Sequence, residues 1–223
     1  MVSLSVCGPH DVDELIQLLS EVFTERDPPA VAVGLTRHEF STLVELYRDR
    51  AGKEGLTVVA RATDTGEMVG ALLGEDSAAP FPHGVERLSP KFDPIFDILG
   101  QLDAEYRAIR TIVPGEALHI FLLGVKRSFA GRKVAQDMVR MCVENGRGRG
   151  YKLAITEATN NISRHIFRKA GFEDRVSRAY CDHRFAGQSV FAAITEHAGP
   201  VLLDRVLSSS AIGPASPASA SRA

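Results

Sequence analysis

The stretch from Leu118 to Ala135 (LHIFLLGVKRSFAGRKVA) constrains the fold more than any other, because it joins an apolar run to a helical pattern through a basic turn. Residues 118–125 are long enough for one buried strand, and apolar residues from Val134 onward recur at helical spacing. The first N–H groups of a helix have no intrahelical partner and lie at the positive end of its dipole, so they bind anions. Four cations surround this point: Lys126, Arg127, Arg132 and Lys133. The stretch therefore predicts a pyrophosphate site where a strand ends and a helix begins.

Length and charge restrict the class of protein. The 223 residues predict a single domain over residues 1–207, followed by a disordered low-complexity tail over 208–223 that is rich in Ser, Ala and Pro. The formal net charge of −2 argues against a dedicated nucleic-acid or membrane-surface binder. No apolar run approaches the ~20 residues of a membrane span, and no basic-then-apolar leader opens the chain. We expect neither nucleic acid nor membrane among its partners.

Cysteine and histidine usage bears on metals and on the cellular compartment. The three cysteines, Cys7, Cys142 and Cys181, are scattered along the chain without CxxC spacing. The seven histidines do not cluster with Cys or carboxylates at ligand spacing, so we expect no metal site. Scattered thiols of odd number are typical of reduced cysteines, which predicts a cytoplasmic protein.

Residue periodicity predicts an alternation of helices and strands. Helices are expected from Pro9 to Arg26, from Thr36 to about Gly52, over 92–109, over 134–145 and from Asn160 or Asn161 to Gly171. Strands are expected at 2–7, 56–62, 68–73, 118–125, 152–156, 172–182 and 190–194. A short helix is expected over 200–207, and a long loop over 75–91.

Two motifs carry a resemblance to a known family. VKRSFAGRKVA, followed by an amphipathic helix, resembles the acetyl-CoA-binding segment of the GCN5-related N-acetyltransferases, Gln/Arg-x-x-Gly-x-Gly/Ala. Ala130 takes the Gln/Arg place, Lys133 the first Gly place and Ala135 the final small place. Residues 160–172 resemble the family's Asn-x-x-Ala-x-x-Leu-Tyr-x-Lys-x-Gly-Phe, with Ser and Phe in the Ala and Tyr places. The two motifs occur in the family's order and at a family-like separation.

The resemblance implies a fold and a co-substrate. It implies one α/β domain in which a mixed, mostly antiparallel sheet is flanked by helices and acetyl-CoA binds at a splayed central strand. The helix–loop–helix before residue 53 would shape the acceptor pocket, and the long insert over 75–109 would contribute to it. The residues implied to bind the cofactor are Leu123, Gly124, Val125, Ala130, Gly131, Arg132, Lys133, Val134, Ala135, Asn160, Ser163 and Phe167.

His119 is the first candidate for the general base. The stretch LHIFLLGVKRSF resembles arylalkylamine N-acetyltransferases, in which two histidines two residues apart occupy this strand; here Phe121 replaces the second. Strand alternation places His119, Phe121 and Leu123 on one face. The ordinary histidine pKa of about 6.5 suits proton acceptance near neutral pH. The alternative is a core histidine that is hydrogen-bonded to a backbone carbonyl.

Glu157 is the second candidate base, since it ends the strand next to the central one. The alternative is a loop carboxylate or a helix cap. Insect-type arylalkylamine enzymes use the Glu of an Asp-Glu-Pro sequence as their base, and this chain has Asp27-Pro28-Pro29 instead. Here that Glu is therefore absent, and Glu25 and Asp27 read as solvated loop charges.

The general acid must come from outside the family's usual position. The family's acid is a tyrosine where this chain has Phe167, which carries no acidic proton. Ser163, Tyr180 and water are the candidates to protonate the leaving thiolate. The alternative for Tyr180 is packing on an edge strand.

The resemblance predicts an enzyme that moves an acetyl group from acetyl-CoA to the primary amine of a small molecule by direct attack in a ternary complex. Two alternatives stay open: acetylation of a peptide N-terminus or lysine, and a non-catalytic CoA-binding regulatory module. The oligomeric state is also open, with a homodimer as one alternative.

Overall fold

A seven-stranded sheet forms the centre of the molecule. The computed structural model describes residues 1–207, and the predicted disordered tail, 208–223, lies outside the described residues. The strands are β1 (Val2–Val6), β2 (Val58–Ala62), β3 (Met68–Asp76), β4 (Ala117–Val125), β5 (Leu153–Ala158), β6 (Glu173–Ser177) and β7 (Val201–Val206). Their order in the sheet is β1-β2-β3-β4-β5-β7-β6. β4 and β5 run parallel, and the other neighbouring pairs run antiparallel.

Helices cover both faces of this sheet. They are α1 (Val12–Arg26), α2 (Pro28–Ala32), α3 (Arg37–Leu46), α4 (Arg48–Lys53), α5 (Asp93–Ile109), α6 (Val134–Gly148) and α7 (Asn161–Lys169). One core joins α1, α3 and α5 to the face that carries Val59, Ala71 and Leu122. A second core joins α6 and α7 to the face that carries Val69 and Ile120. The predicted single α/β domain, with a mixed and mostly antiparallel sheet between helices, is confirmed.

The C-terminal part of the sheet differs from the sequence prediction. Residues 200–207, predicted to be helical, form β7, which lies between β5 and β6. Residues 190–194, predicted to be a strand, form turns, and β6 ends at Ser177. The reason is burial on both faces: the run Val201–Leu203 is covered above and below, and a short continuous apolar run does not distinguish a helix from an interior strand.

The paired prolines end one helix and begin another. α1 stops at Arg26, as predicted, but the expected loop is the short helix α2, in which Pro28 and Pro29 open the first turn. Proline suits that position because the first N–H groups of a helix have no intrahelical acceptor. Asp27 is the N-cap of α2, and its carboxylate accepts the Ala30 N–H at 3.3 Å.

The sheet opens along the central strand. The parallel pairing of β4 with β5 ends at the pair His119–Ile155, although β4 continues to Val125 and β5 to Ala158. On the other side of β4, Leu73 pairs with Leu122 and Gly74 pairs with Ile120, so Phe121 is the extra residue of a β-bulge. The predicted splayed central strand is therefore present.

No helix within residues 1–207 is both long enough and apolar enough to cross a lipid bilayer.

Candidate active site

A cavity of about 600 Å³ lies where β4 and β5 separate. Its volume is within the range of small-molecule sites in proteins. One part of its wall is made by the second half of β4, the turn at 129–131 and the starts of α6 and α7. The other part is made by α1, α3, α5 and the end of β5. A single cavity thus reaches from the predicted pyrophosphate site to the predicted acceptor pocket.

The start of α6 provides an anion site at one end of the cavity. The first backbone hydrogen bond of this helix runs from the Asp137 N–H to the Lys133 carbonyl, at 3.0 Å. The N–H groups of Val134, Ala135 and Gln136 precede it, and all three residues line the cavity. Lys133, which also lines the cavity, is in the left-handed conformation with φ 63°. Backbone donors, a helix dipole and a cation therefore meet at one place, as a pyrophosphate requires.

Most of the predicted cofactor-binding residues lie on the cavity wall. Those that do are Leu123, Val125, Ala130, Gly131, Lys133, Val134, Ala135, Asn160, Ser163 and Phe167. Gly124 and Arg132, both within the described chain, lie off the wall. Gly124 faces α1, where an added Cβ would lie 3.1 Å from Leu19. The Arg132 guanidinium lies 4.8 Å from the centre of the Phe129 ring.

The start of α7 borders the same end of the cavity. The Asn160 side chain accepts the Ser163 N–H at 2.8 Å and so caps the helix. Phe167 is buried and packs edge-on against Phe172, with ring centres 5.3 Å apart. It lines the cavity without offering a hydroxyl group. His165 and His197 also lie on this wall; sequence analysis did not select them, because no motif marks either one.

The opposite end of the cavity has an aromatic wall. Phe23 stacks on Phe40 with ring centres 5.0 Å apart, and Phe92 stacks on Phe96 at 5.5 Å. Phe40 and Phe92 join the two pairs at 6.0 Å. Phe121, the bulged residue of β4, completes the wall. The other four rings come from α1, α3, α5 and the residue before α5, so the helices expected to shape an acceptor pocket do border the cavity.

Asp27 places a carboxylate on this wall. It accepts a hydrogen bond from the Thr159 hydroxyl as well as from the Ala30 N–H. Burial, opposed only in part by these two donors, raises the pKa of Asp27 to about 6. The expectation of a solvated loop charge is therefore wrong for Asp27. Glu25 is exposed and lies 4.0 Å from Arg37.

His119 lies between two carboxylates. Its Nε2 is 2.8 Å from Glu157 Oε2, and its Nδ1 is 3.2 Å from Glu75 Oε1. Burial alone would lower the pKa of His119, but Glu157 and Glu75 outweigh it and raise the pKa to about 10. The expectation that this ring titrates near neutral pH is wrong, because the carboxylates keep it protonated. An imidazolium with both N–H groups bonded has no lone pair with which to accept a proton.

Glu157 and Tyr180 have different positions relative to the cavity. Glu157 lies on the wall, and its side chain is 13% exposed. Tyr180 is fully buried beyond the end of β6, and its hydroxyl donates to the Thr159 carbonyl at 2.7 Å. Burial raises the pKa of Tyr180 further above its ordinary value. The tyrosine thus supports the loop that carries Thr159 and lies behind the cavity wall.

Cysteines and possible metal ligands lie elsewhere. Cys7 and Cys142 are buried, Cys181 is exposed, and all three are free thiols. None of them is among the described residues that line the cavity. Across residues 1–207, His, Cys, Asp and Glu side chains do not gather in groups of three or more that could hold a metal ion.

Comparison with known proteins places this geometry in a family. The model of the acetyltransferase (GNAT) family matches residues 13–172. Among solved structures, the C-terminal condensation domain of Ebony in complex with beta-alanyl-dopamine superposes with a TM-score of 0.82 at 14% identity, over 92% of this chain and 99% of that chain. Arylalkylamine N-acetyltransferase 2 from Aedes aegypti superposes with a TM-score of 0.75 at 18% identity, over 93% of this chain and 99% of that chain. The polyamine N-acetyltransferase of Drosophila melanogaster superposes with a TM-score of 0.74 at 19% identity, over 93% of this chain and 100% of that chain.

At these identities the solved structures establish similarity of fold, while the family model covers most of the described chain. Family membership also agrees with the cavity, in which an anion-binding helix start borders the gap between two splayed strands. The chain therefore belongs to the acetyltransferase (GNAT) family and is an acyl-CoA-dependent N-acetyltransferase.

Proposed function

We propose that this enzyme transfers an acetyl group from acetyl-CoA to the primary amine of a small, apolar, arylalkyl-type molecule. The observation that carries the proposal is the two-ended cavity. One end has the start of α6 with Lys133, and the other has an aromatic wall with two carboxylates, Asp27 and Glu157. The solved structures of arylalkylamine and polyamine N-acetyltransferases, which share this fold, agree with an amine acceptor.

The cofactor end fits acetyl-CoA as co-substrate. The N–H groups of Val134, Ala135 and Gln136 and the Lys133 ammonium would hold the pyrophosphate. The pantetheine arm would lie in the gap between β4 and β5, beside Leu123. Acetyl-CoA supplies an activated acyl group on a thioester sulfur, and the protein positions that group opposite the acceptor.

The acceptor end fits a cation with an apolar body. The phenylalanine rings provide flat, apolar surface that can stack on an aryl group. Glu157 provides a fixed negative charge for the ammonium, since His119 holds its carboxylate. A peptide acceptor would need an open acidic groove to bind its polar backbone, so the aromatic wall favours the small amine over the peptide or lysine alternative.

The reaction requires that the ammonium lose a proton before attack. We assign this proton to Asp27, because a pKa of about 6 makes its carboxylate an effective acceptor near neutral pH. The amine nitrogen then bonds to the thioester carbon and releases its second proton to water, while the carbon–sulfur bond breaks and the sulfur leaves as a thiolate. Phe167 has no proton to offer, and the hydroxyls of Ser163 and Tyr180 already donate to the carbonyls of Asn160 and Thr159. The thiolate, already a good leaving group, therefore takes its proton from water, which balances the second proton that the amine released.

Direct attack agrees with the position of the cysteines. Burial raises the pKa of both Cys7 and Cys142 to about 12, so neither is a ready nucleophile. Neither they nor Cys181 line the cavity in the part of the chain that the structure describes. Three free thiols also suit a reducing compartment, and we propose the cytoplasm.

Thiol release from acetyl-CoA tests this function. The panel contains arylalkylamines, alkylamines, polyamines and short peptides, each assayed with acetyl-CoA and with longer acyl-CoA thioesters. Arylalkylamines should give the highest kcat/KM, and double-reciprocal plots should intersect, as a ternary complex requires. Release that occurs only with peptides would contradict the small-amine proposal, and parallel plots would contradict direct attack.

A further inference from the structure

Four charged side chains form a row that crosses the sheet and ends at the cavity. Arg50 Nη1 of α4 lies 2.5 Å from Glu75 Oε2 of β3. The other oxygen of Glu75 lies 3.2 Å from His119 Nδ1 of β4. His119 Nε2 in turn lies 2.8 Å from Glu157 Oε2 of β5. Charges of alternating sign therefore follow one another from α4 to the cavity wall, where Glu157 stands.

This charge row, Arg50–Glu75–His119–Glu157, is largely removed from solvent. The exposed fractions of its four side chains, in that order, are 16%, 9%, 16% and 13%. Buried ion pairs are weak stabilisers, because desolvation offsets their attraction and apolar residues of the same volume serve the fold as well. Stability alone therefore does not account for four buried charges in series.

Other groups face the charge row from the neighbouring elements. The Arg50 guanidinium lies 5.5 Å from the centre of the Tyr47 ring, and Phe121 lies 5.6 Å from the His119 ring. Burial and the nearby Glu75 raise the pKa of Tyr47 above 10, so Tyr47 is neutral at physiological pH. Glu54, whose pKa burial also raises, lies close to Arg50, and both Glu75 and Asp76 lie near it. Within the row itself each carboxylate contacts a cationic side chain: Glu75 contacts Arg50 and His119, and Glu157 contacts His119.

The charge row crosses the sheet at the point where the sheet opens. His119 and Ile155 are the last paired residues of β4 and β5, and the bulge at Phe121 follows two residues later. Beyond this pair the strands exchange no ladder hydrogen bonds. Two side-chain contacts tie them there instead: the Thr156 hydroxyl donates to the Ile120 carbonyl at 2.9 Å, and His119 contacts Glu157. Of these two, the His119–Glu157 contact holds the carboxylate beside the gap.

We propose that Arg50, Glu75 and His119 are positioning residues for acetyl transfer, which hold the Glu157 carboxylate at the place where the acceptor ammonium binds. This inference rests on the proposed function, because only Glu157 would touch the acceptor. Glu75 is the residue whose substitution tests this proposal most directly. Without Glu75 the buried His119 ring loses one of its two anions, becomes neutral at a lower pH, and leaves Glu157 without a cation.

The first test reads the His119 ring without any substrate. Side-chain ¹⁵N NMR of the full-length protein resolves the ring, and the signals that disappear in His119→Gln assign it. In the wild-type protein both ring nitrogens should remain protonated from pH 6 to 8, whereas in Glu75→Gln the ring should lose a proton within this interval. A neutral ring in the wild-type protein at pH 7 would overturn the proposal. The result does not depend on which amine is acetylated, so it separates this inference from the proposed function.

The second test is kinetic. Glu75→Gln should raise the KM for the amine about tenfold, as the loss of a charged hydrogen-bonding arrangement does, with a smaller change in kcat. The increase should grow as the pH rises and His119 becomes neutral. The double variant Glu75→Gln/Glu157→Gln should be no worse than Glu157→Gln alone, because Glu75 acts only through Glu157. Additive losses would show a general structural effect and overturn the positioning role.

Controls separate folding from positioning. Glu14→Gln removes a carboxylate from an ion pair with Arg61 away from the cavity and should leave the KM unchanged. The dissociation constant for CoA should be the same in Glu75→Gln as in the wild-type protein, which verifies an intact cofactor end. If Glu75→Gln does not fold, Arg50→Lys and Arg50→Met replace it. The lysine variant keeps the cation and should keep the KM, whereas the methionine variant should raise it. Equal KM values for the lysine and methionine variants would overturn the proposal.

Discussion

The Asp27 carboxylate accepts a hydrogen bond from the Thr159 hydroxyl, so the cap of α2 is tied to the loop that follows β5. The Tyr180 hydroxyl donates to the carbonyl of the same threonine at 2.7 Å. These two contacts fix Thr159 from both sides. The orientation of Asp27 in the cavity is therefore set by residues that are remote in sequence, which makes this carboxylate a well-placed proton acceptor.

Asp27→Asn should abolish most of the activity without disturbing the helix that Asp27 caps. Asparagine caps helices as well as aspartate does and is nearly isosteric with it, but it cannot accept the ammonium proton. We expect kcat/KM to fall by about 10²–10⁴ at pH 7.5. In the wild-type protein, kcat/KM should decrease as the pH falls through about 6, where Asp27 becomes protonated. A variant that retains the wild-type rate and this acid limb would exclude Asp27 as the base.

The same substitution should stabilise the protein above pH 6. The pKa of Asp27 is raised to about 6 in the folded state, so its contribution to stability is present at low pH and is lost as the pH rises through this value. Asparagine is uncharged at every pH, so burying it has no free-energy cost that grows with pH. The difference in unfolding free energy between Asp27→Asn and wild type should therefore increase from pH 4 to pH 7 by about 1–3 kcal/mol. Urea unfolding at each pH measures it, and a difference that does not change with pH would show that Asp27 is not strained by burial.

Sequence patterns predicted the parts of the site that are local along the chain. The strand, basic turn and helix start around Lys133 lie within one short segment, and so does the cap at Asn160. Their geometry follows from neighbouring residues, which periodicity and capping preferences describe. β7 was missed because its strand character comes from the neighbours on both of its edges, β5 and β6.

The charge states in the site could not be predicted, because their causes are distant in sequence. The two partners of His119 are 44 and 38 residues away from it, and the extension of β3 beyond Leu73 that brings Glu75 to it was not expected. Asp27 and Thr159 are 132 residues apart. A sequence of Asp before Pro-Pro gives no sign of such burial, since the same residues also form solvated turns.

Lys133→Gly should relieve backbone strain while weakening the affinity for CoA. A left-handed conformation costs a non-glycine residue roughly 1–2 kcal/mol, and Lys133 has φ 63°. We therefore expect Lys133→Gly to unfold at a higher temperature than Lys133→Ala, which keeps the strain. Both variants lose the ammonium, so both should bind CoA several-fold more weakly at low salt, and less so at high salt. Calorimetric titration of CoA checks this; a glycine variant that binds as tightly as wild type would show that Lys133 does not contact the phosphates.

Phe96→Ala should impair the binding of aryl acceptors selectively. Phe96 lies on the cavity wall, is only partly buried and stacks on Phe92 at 5.5 Å, so its removal should leave the fold intact. An aromatic contact contributes about 0.5–1.5 kcal/mol beyond burial. The KM for an arylalkylamine should thus rise about two- to tenfold, and the KM for an alkylamine of equal length should rise less. Equal losses for both acceptors would contradict a stacking role, and a changed affinity for CoA would show wider damage.

His119→Gln should remove a pH-dependent part of the stability at alkaline pH. The pKa of His119 is raised from about 6.5 to about 10 in the folded protein, so the stabilisation by its charge is fully present below pH 6.5 and is lost as the pH rises through 10. The wild-type protein should therefore be the more stable of the two at pH 7, because glutamine leaves Glu157 without a buried cation and leaves Glu75 with Arg50 alone. This advantage should decrease steadily between pH 7 and pH 10.5 in urea unfolding experiments. Tyrosines and cysteines titrate in both proteins and cancel in the difference, so an advantage that stays constant over this interval would mean that the ring is neutral between its two carboxylates.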